Sequence, residues 1–288
     1  MLDVASDAES SHRDVNPITS LQLASAFKAF SVAQYLVHVG HRCDLGLDGP
    51  LSIAAQRGYL NIVELLIPAS NYPRLASTHA LMALVMSLLP GDDQISLPPR
   101  LRHKQDPTAH SALEIMKKLL EAGADASSSI STQEGDYTLL CCVMHFTFGS
   151  ETDMARLLIQ YRAPCDSMTR TAFQPFLEPV DQISHLALAA LLGHLGMVEL
   201  LLSNGVRRFE CSDKSVFDTI PIAATPDRMF RMNEIVTLLD AIIEIHTPCL
   251  DRFKKAVKTW QETFRCAFDN AIQENWDTYS FDARLYGD

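Results

Sequence analysis

Two distant stretches repeat one spaced pattern, and that repeat restricts the fold more than any other feature. One runs from Ser184 through His185-Leu186-Ala187-Leu188-Ala189-Ala190 to Gly205, the other from Gly49 through Pro50-Leu51-Ser52-Ile53-Ala54-Ala55 to Leu66. Aligned at Leu186 and Leu51, they share the alanine pair, the glycine at Gly193 and Gly58, and a Val-Glu-Leu-Leu run at Val198 and Val63. Self-similarity of this kind marks a repeat architecture.

The spacing has a physical reading. A short helix from Leu51 to Arg57 would bury Leu51, Ile53 and Ala54, with alanines letting a neighbour pack closely. Gly58 would end it, because the residue after a helix often needs a positive φ that glycine adopts at little cost. A second helix near Asn61 would bury Ile62, Val63, Leu65 and Leu66. One such hairpin cannot cover its own apolar face, so several must stack. The register recurs from Thr19, from Thr78 with a delayed second helix ending Leu119-Leu120-Glu121-Ala122-Gly123-Ala124-Asp125, from Thr138, and more faintly from Ser215 to Ile243.

These units resemble the ankyrin repeat, TPLHxAAxxGHxxIVxxLLxxGA, over about residues 15–245. The resemblance implies an all-α solenoid of about five to six helical hairpins. No intact TPLH is present: the tetrads starting at Thr19, Gly49, Thr78, Thr138 and Ser184 read Thr-Ser-Leu-Gln, Gly-Pro-Leu-Ser, Thr-His-Ala-Leu, Thr-Leu-Leu-Cys and Ser-His-Leu-Ala. In the family the Thr and His brace each hairpin, so their loss predicts irregular stacking.

Residues 1–14 are expected to be a flexible N-terminus. The register breaks near 90–110, with Pro90, Pro98, Pro99 and Pro107, and near 163–182, with Phe173, Pro175, Phe176 and Pro179. Loops of this length are usually functional or disordered. Ser127 to Thr132 reads as a polar linker into a finger loop. Beyond 245 the pattern changes: Leu250, Phe253, Val257, Trp260, Phe264, Phe268, Ile272 and Trp276 fall at steps of three and four. That is an amphipathic helix, the cap a solenoid end needs, followed by an acidic tail to residue 288.

Net charge is −11, which disfavours nucleic acid and acidic membranes. The run Arg100, Arg102, His103 and Lys104 is too short to reverse that. No signal peptide or membrane span is expected; the apolar run from Leu186 to Leu202 is broken by Gly193, His194, Gly196 and Glu199. Seven cysteines at irregular spacing, without CxxC, read as reduced thiols in a cytoplasmic or nuclear, not secreted, protein. His38, His41 and Cys43 lack a second ligand pair, so neither metal nor cofactor is expected. Cys141 and Cys142 read as core. The phosphate-loop, zinc-protease and serine-nucleophile motifs are absent from the sequence.

The resemblance implies a protein–protein scaffold or adaptor that binds on its concave groove. Carried over position by position, the groove would take Gln56, Arg57, His145, Phe146, Leu191 and Leu192 from the inner helices. The fingers would add Asp48, Asp136, Tyr137, Gln182 and Ile183. This predicts an apolar centre, Leu191 and Leu192, inside an acidic rim. His185 is expected near the concave surface and His194 in a structural turn. The rival reading is an enzyme or small-molecule binder on a decayed scaffold, with a pocket roofed by the two insertions and His145, His185 and Asp181 as acid–base groups. Homo-oligomerisation, if any, is expected through the C-terminal helix.

Overall fold

The computed structural model describes residues 18–41, 46–88, 109–132, 135–145, 151–171, 180–213, 216, 226–242, 247–263 and 265–266. Helices alternate along the chain as five hairpins: α1 (Ser20–Ala26) with α2 (Phe30–His38), α3 (Pro50–Gln56) with α4 (Leu60–Leu66), α5 (Pro73–Ser87) with α6 (Ala109–Glu121), α7 (Leu139–Met144) with α8 (Glu151–Gln160), and α9 (His185–Leu192) with α10 (Leu195–Ser203). They form two rows. The first helices pack in the order α1, α3, α5, α7, α9, and the second helices in the order α2, α4, α6, α8, α10. The helix α11 (Pro226–Asp240) continues the stack against α9 and α10. This is an ankyrin-type solenoid.

Local rules explain each hairpin. Thr19, Thr138 and Ser184 cap α1, α7 and α9 through their hydroxyls, and Pro50 opens α3 at a position where a missing N–H costs nothing. Gly58 and Gly193 stand between the paired helices with φ of 72° and 71°. Lys28 holds the same place in the first hairpin with φ 56°, and its ammonium lies 5.5 Å from the centre of the Tyr59 ring. Ala54, Ala55, Ala189 and Ala190 are fully buried, as close approach of neighbouring hairpins requires. Most of the buried apolar residues join into one cluster from Leu21 to Val257, with Ala26 and Ile53 in a small second one.

The third hairpin departs from the expected register. Thr78 does not start a helix; Pro73 does, and α5 runs fifteen residues. The Thr78 hydroxyl donates back to the Arg74 carbonyl at 2.9 Å and accepts the Asp125 N–H at 2.9 Å. It therefore ties the end of the hairpin to its beginning. The break expected near 90–110 lies largely outside the described residues.

Among the described residues strands occur as two short fingers. β1 (Ser129–Thr132) pairs antiparallel with β2 (Gly135–Thr138), so the Ser127–Thr132 stretch read as a linker is mostly strand. β3 (Met168–Thr171) pairs with β4 (Val180–Ser184) across the second break, whose Phe173, Pro175, Phe176 and Pro179 lie outside the described residues. The fingers pack β2 against β3. Residues 210–212 extend the row: Ser184 N–H donates to the Glu210 carbonyl at 2.9 Å and Ser212 N–H to the Gln182 carbonyl at 2.8 Å.

The C-terminal helix α12 covers residues 248–263, with Leu250, Phe253, Val257 and Trp260 turned inward. Phe253 lies 5.7 Å from Phe209 between ring centres, the Thr247 hydroxyl donates to the Phe209 carbonyl at 2.7 Å, and Lys254 pairs with Asp240. The helix thus docks on the last part of the stack. Phe264 to Trp276 were expected to prolong it and lie almost entirely outside the described residues.

The positive-φ sites give opposite expectations. Gly193→Ala should destabilise the fold by about 1 kcal/mol in urea unfolding. Arg162, which has φ 71° after α8, should respond in the other direction: Arg162→Gly gains up to about 1 kcal/mol.

Candidate functional site

Most of the expected groove residues turn into the stack, from the fingers as well as from the inner helices. Leu191, Leu192, Arg57, His145, Tyr137 and Ile183 are all buried. The apolar groove centre expected from Leu191 and Leu192 is therefore corrected to core. Every residue of α9 is buried, because α7 packs against the helix on one side, α11 on the other, and α10 closes the hairpin. A helix that is apolar all round is a buried helix, and that signal was present in His185-Leu186-Ala187-Leu188-Ala189-Ala190-Leu191-Leu192. Gln56 is half-buried, and Phe146 lies outside the described residues.

The finger edge is what remains exposed. Asp48 (on the short 3-10 turn Gly46–Asp48), Asp136 on β2 and Gln182 on β4 are all at the surface. Burial of part of the Asp48 carboxyl raises its pKa, while its carbonyl accepts the Gln22 side-chain amide at 2.7 Å from the first hairpin. Asp136 accepts the Ser131 hydroxyl at 2.6 Å across the finger. Glu210 and Ser212, which the sequence reading did not single out, continue this edge and are exposed. Arg208 Nε donates to Glu210 at 2.9 Å. Their pairing with β4 comes from residues some thirty positions away, so no local pattern announces it. The side chain of Asp181 lies outside the described residues.

The expectation that His185 lies near the surface is also corrected. The ring is fully buried at the seam between the fourth and fifth hairpins. Its Nδ1 lies 3.1 Å from the Cys165 carbonyl and its Nε2 2.8 Å from the Thr138 hydroxyl. A carbonyl can only accept, so Nδ1 carries the proton and Nε2 accepts from Thr138. Thr138 Oγ1 also accepts the Cys141 N–H at 3.1 Å, which caps α7. Both imidazole nitrogens are held in this chain of bonds. His185 thereby ties one repeat to the next.

Burial sets the electrostatics. It pushes the His185 pKa down to about 4 against smaller raising effects from the Cys165 hydrogen bond and Asp166. It does the same for His145, to about 4, with the charge of His194 adding to the effect. His194 stands at the N-terminal end of α10 without a side-chain cap bond, and its Nδ1 lies 3.8 Å from Glu151 at the start of α8 in the outer row. Burial lifts the Cys141 thiol to about 12 and Cys142 well above its usual value, so both are poor nucleophiles near neutrality. Among the described residues no three His, Cys, Asp or Glu groups converge as metal ligands.

Comparison of the sequence with protein-family profiles and with characterised proteins finds no match. Among solved structures, the ankyrin repeat domain of Bcl-3, described as a unique member of the IkappaB protein family, is similar at 20% identity and TM-score 0.35, over 76% of this chain and 98% of that one. The ankyrin repeat domain of human ASB11 is similar at 16% identity and TM-score 0.38, over 77% and 97%.

The two histidines give a stability profile with a defined sign. Their folded pKa values near 4 lie below the ordinary 6.5, so the unfolded chain binds more protons between those values. Their contribution is complete above pH 6.5 and is lost as pH falls toward 4, with an upper limit of about 3 kcal/mol for each group. Urea unfolding at a series of pH values checks this. His185→Ala should cost about 2–4 kcal/mol at pH 7 and flatten the acid limb.

Proposed function

We propose that the chain is a protein-binding scaffold whose partner lies along the finger edge. The observation that carries this reading is the row formed by β1–β2, β3–β4 and residues 210–212. β2 packs against β3, residues 210–212 hydrogen-bond to β4, and the row exposes Asp136, Gln182, Glu210 and Ser212. A surface held by main-chain hydrogen bonds loses little entropy on binding. Its polarity and acidic groups suit a partner with basic groups, in keeping with the net charge of −11. The groove narrows to the exposed finger residues, with Gln56 and Asp48 at the end nearer the N-terminus. Among the described residues no helix is long and apolar enough to cross a membrane.

Affinity capture on the immobilised chain tests this. A bound basic protein should be retained by the wild type and weakened about tenfold or more by Asp136→Lys with Gln182→Lys, with stronger salt dependence for the wild type. Lys117→Glu, exposed on the outer row at α6, should leave capture unchanged. Loss of the partner with Lys117→Glu and retention with the finger variant would move the interface to the opposite face.

A further inference from the structure

The two ends of the solenoid differ. At the C-terminal end α12 covers the last part of the stack, but the first hairpin presents an interior-type face to solvent. The hairpins from Thr19, Gly49 and Ser184 align without gaps, since the second helix of each is capped ten residues after the first, at Ala29, Tyr59 and His194. Val32 therefore corresponds to Ile62 and Met197. Those two are 0% exposed in hairpins that follow another hairpin, whereas Val32, in the first, is 51% exposed. Leu23 corresponds to Ile53 and Leu188, which are 2% and 0% exposed, and is itself 40% exposed. Tyr35, at 65%, continues the stripe three positions after Val32 on α2, and Val39, exposed at the C-terminal cap of that helix, follows seven positions after Val32. Most of the large apolar side chains exposed among the described residues lie in this first hairpin.

We infer that this face joins a second copy of the chain. Two observations select that occupant. Between residues 18 and 41 there is no Asp or Glu and one Lys, Lys28, in a chain of net charge −11. Two copies of this patch can therefore meet with little of the like-charge repulsion that the acidic remainder would produce, and a basic partner finds nothing there to pair with. Among the described residues α12 covers the last part of the stack, so the first-hairpin face meets its like and the contact closes as a two-fold dimer that does not propagate as a filament. The interface is thus placed at the N-terminal end, in contrast to the C-terminal helix expected from sequence, whose described apolar residues Leu250, Phe253, Val257 and Trp260 are buried within the chain.

Sedimentation velocity of the full chain up to about 100 µM tests this, a range that populates any dimer with a Kd below that value. The wild type should be dimeric. Val32→Glu with Tyr35→Glu should raise the dimer Kd tenfold or more while leaving circular dichroism and the thermal midpoint unchanged, since both side chains are more than half exposed. Tyr35→Lys alone, the milder change, should act in the same direction. Lys258→Glu, exposed on α12, should leave the dimer intact. A wild type monomeric throughout would overturn the inference, including the case in which residues 1–17, with Asp3, Asp7, Glu9 and Asp14, cover the face from within. A dimer that survives the double substitution, or one broken by Lys258→Glu, would overturn it equally.

Discussion

Each hairpin of this protein completes the burial of its neighbour, and the seam between hairpins is where that mutual burial has to be made specific. Apolar contact alone would let the hairpins slide, because it has little directional preference. Polar ties at the seams supply direction. Gln22 closes a capping box with Thr19 and reaches the Asp48 carbonyl in the next hairpin. Thr138, His185 and Cys165 are linked where the fourth hairpin meets the fifth. Ser184 caps α9 and also accepts the Glu210 N–H at 3.0 Å from the segment that follows. In each case a residue that caps a helix, or supports its cap, also holds the adjoining unit.

The finger row depends on these ties. β2 ends at Thr138 and β4 at Ser184, so the last residue of each finger is also the cap of the next inner helix. A shift of one hairpin would displace its finger with it. The polar edge thus inherits its rigidity from the seams, and the buried neutral His185 belongs to the structure that positions Asp136 and Gln182. The same logic bears on the ends. A seam face without a neighbour is apolar surface in water, met by α12 at one end and left open by the first hairpin at the other.

Much of the frame was legible in the sequence because its causes are local. The alanine pairs, the glycines at positions 58 and 193 and the hydroxyls at Thr19, Thr138 and Ser184 announce close packing, turns and caps within a few residues of where they act. The third hairpin was misread because Thr78 looks like a cap, while Pro73, five residues earlier, starts the helix. The site was less legible because its causes are distant. Gln182 and Ser212 meet across thirty residues, and Thr138 and His185 across forty-seven. The groove positions failed for a related reason: Leu191 and Leu192 follow the alanine pair as exposed residues would, but the all-round apolar character of α9 outweighs position within the repeat.

The most direct test of this account is a double-mutant cycle between Thr138 and His185, using Thr138→Val and His185→Phe at pH 7 and measuring unfolding free energy. A seam held by the Thr138–His185 hydrogen bond predicts a coupling of about 1–2 kcal/mol, with the two substitutions together costing less than their sum. Strict additivity would contradict it, showing that the hairpins are aligned by apolar packing alone and that His185 is only a buried residue at the junction.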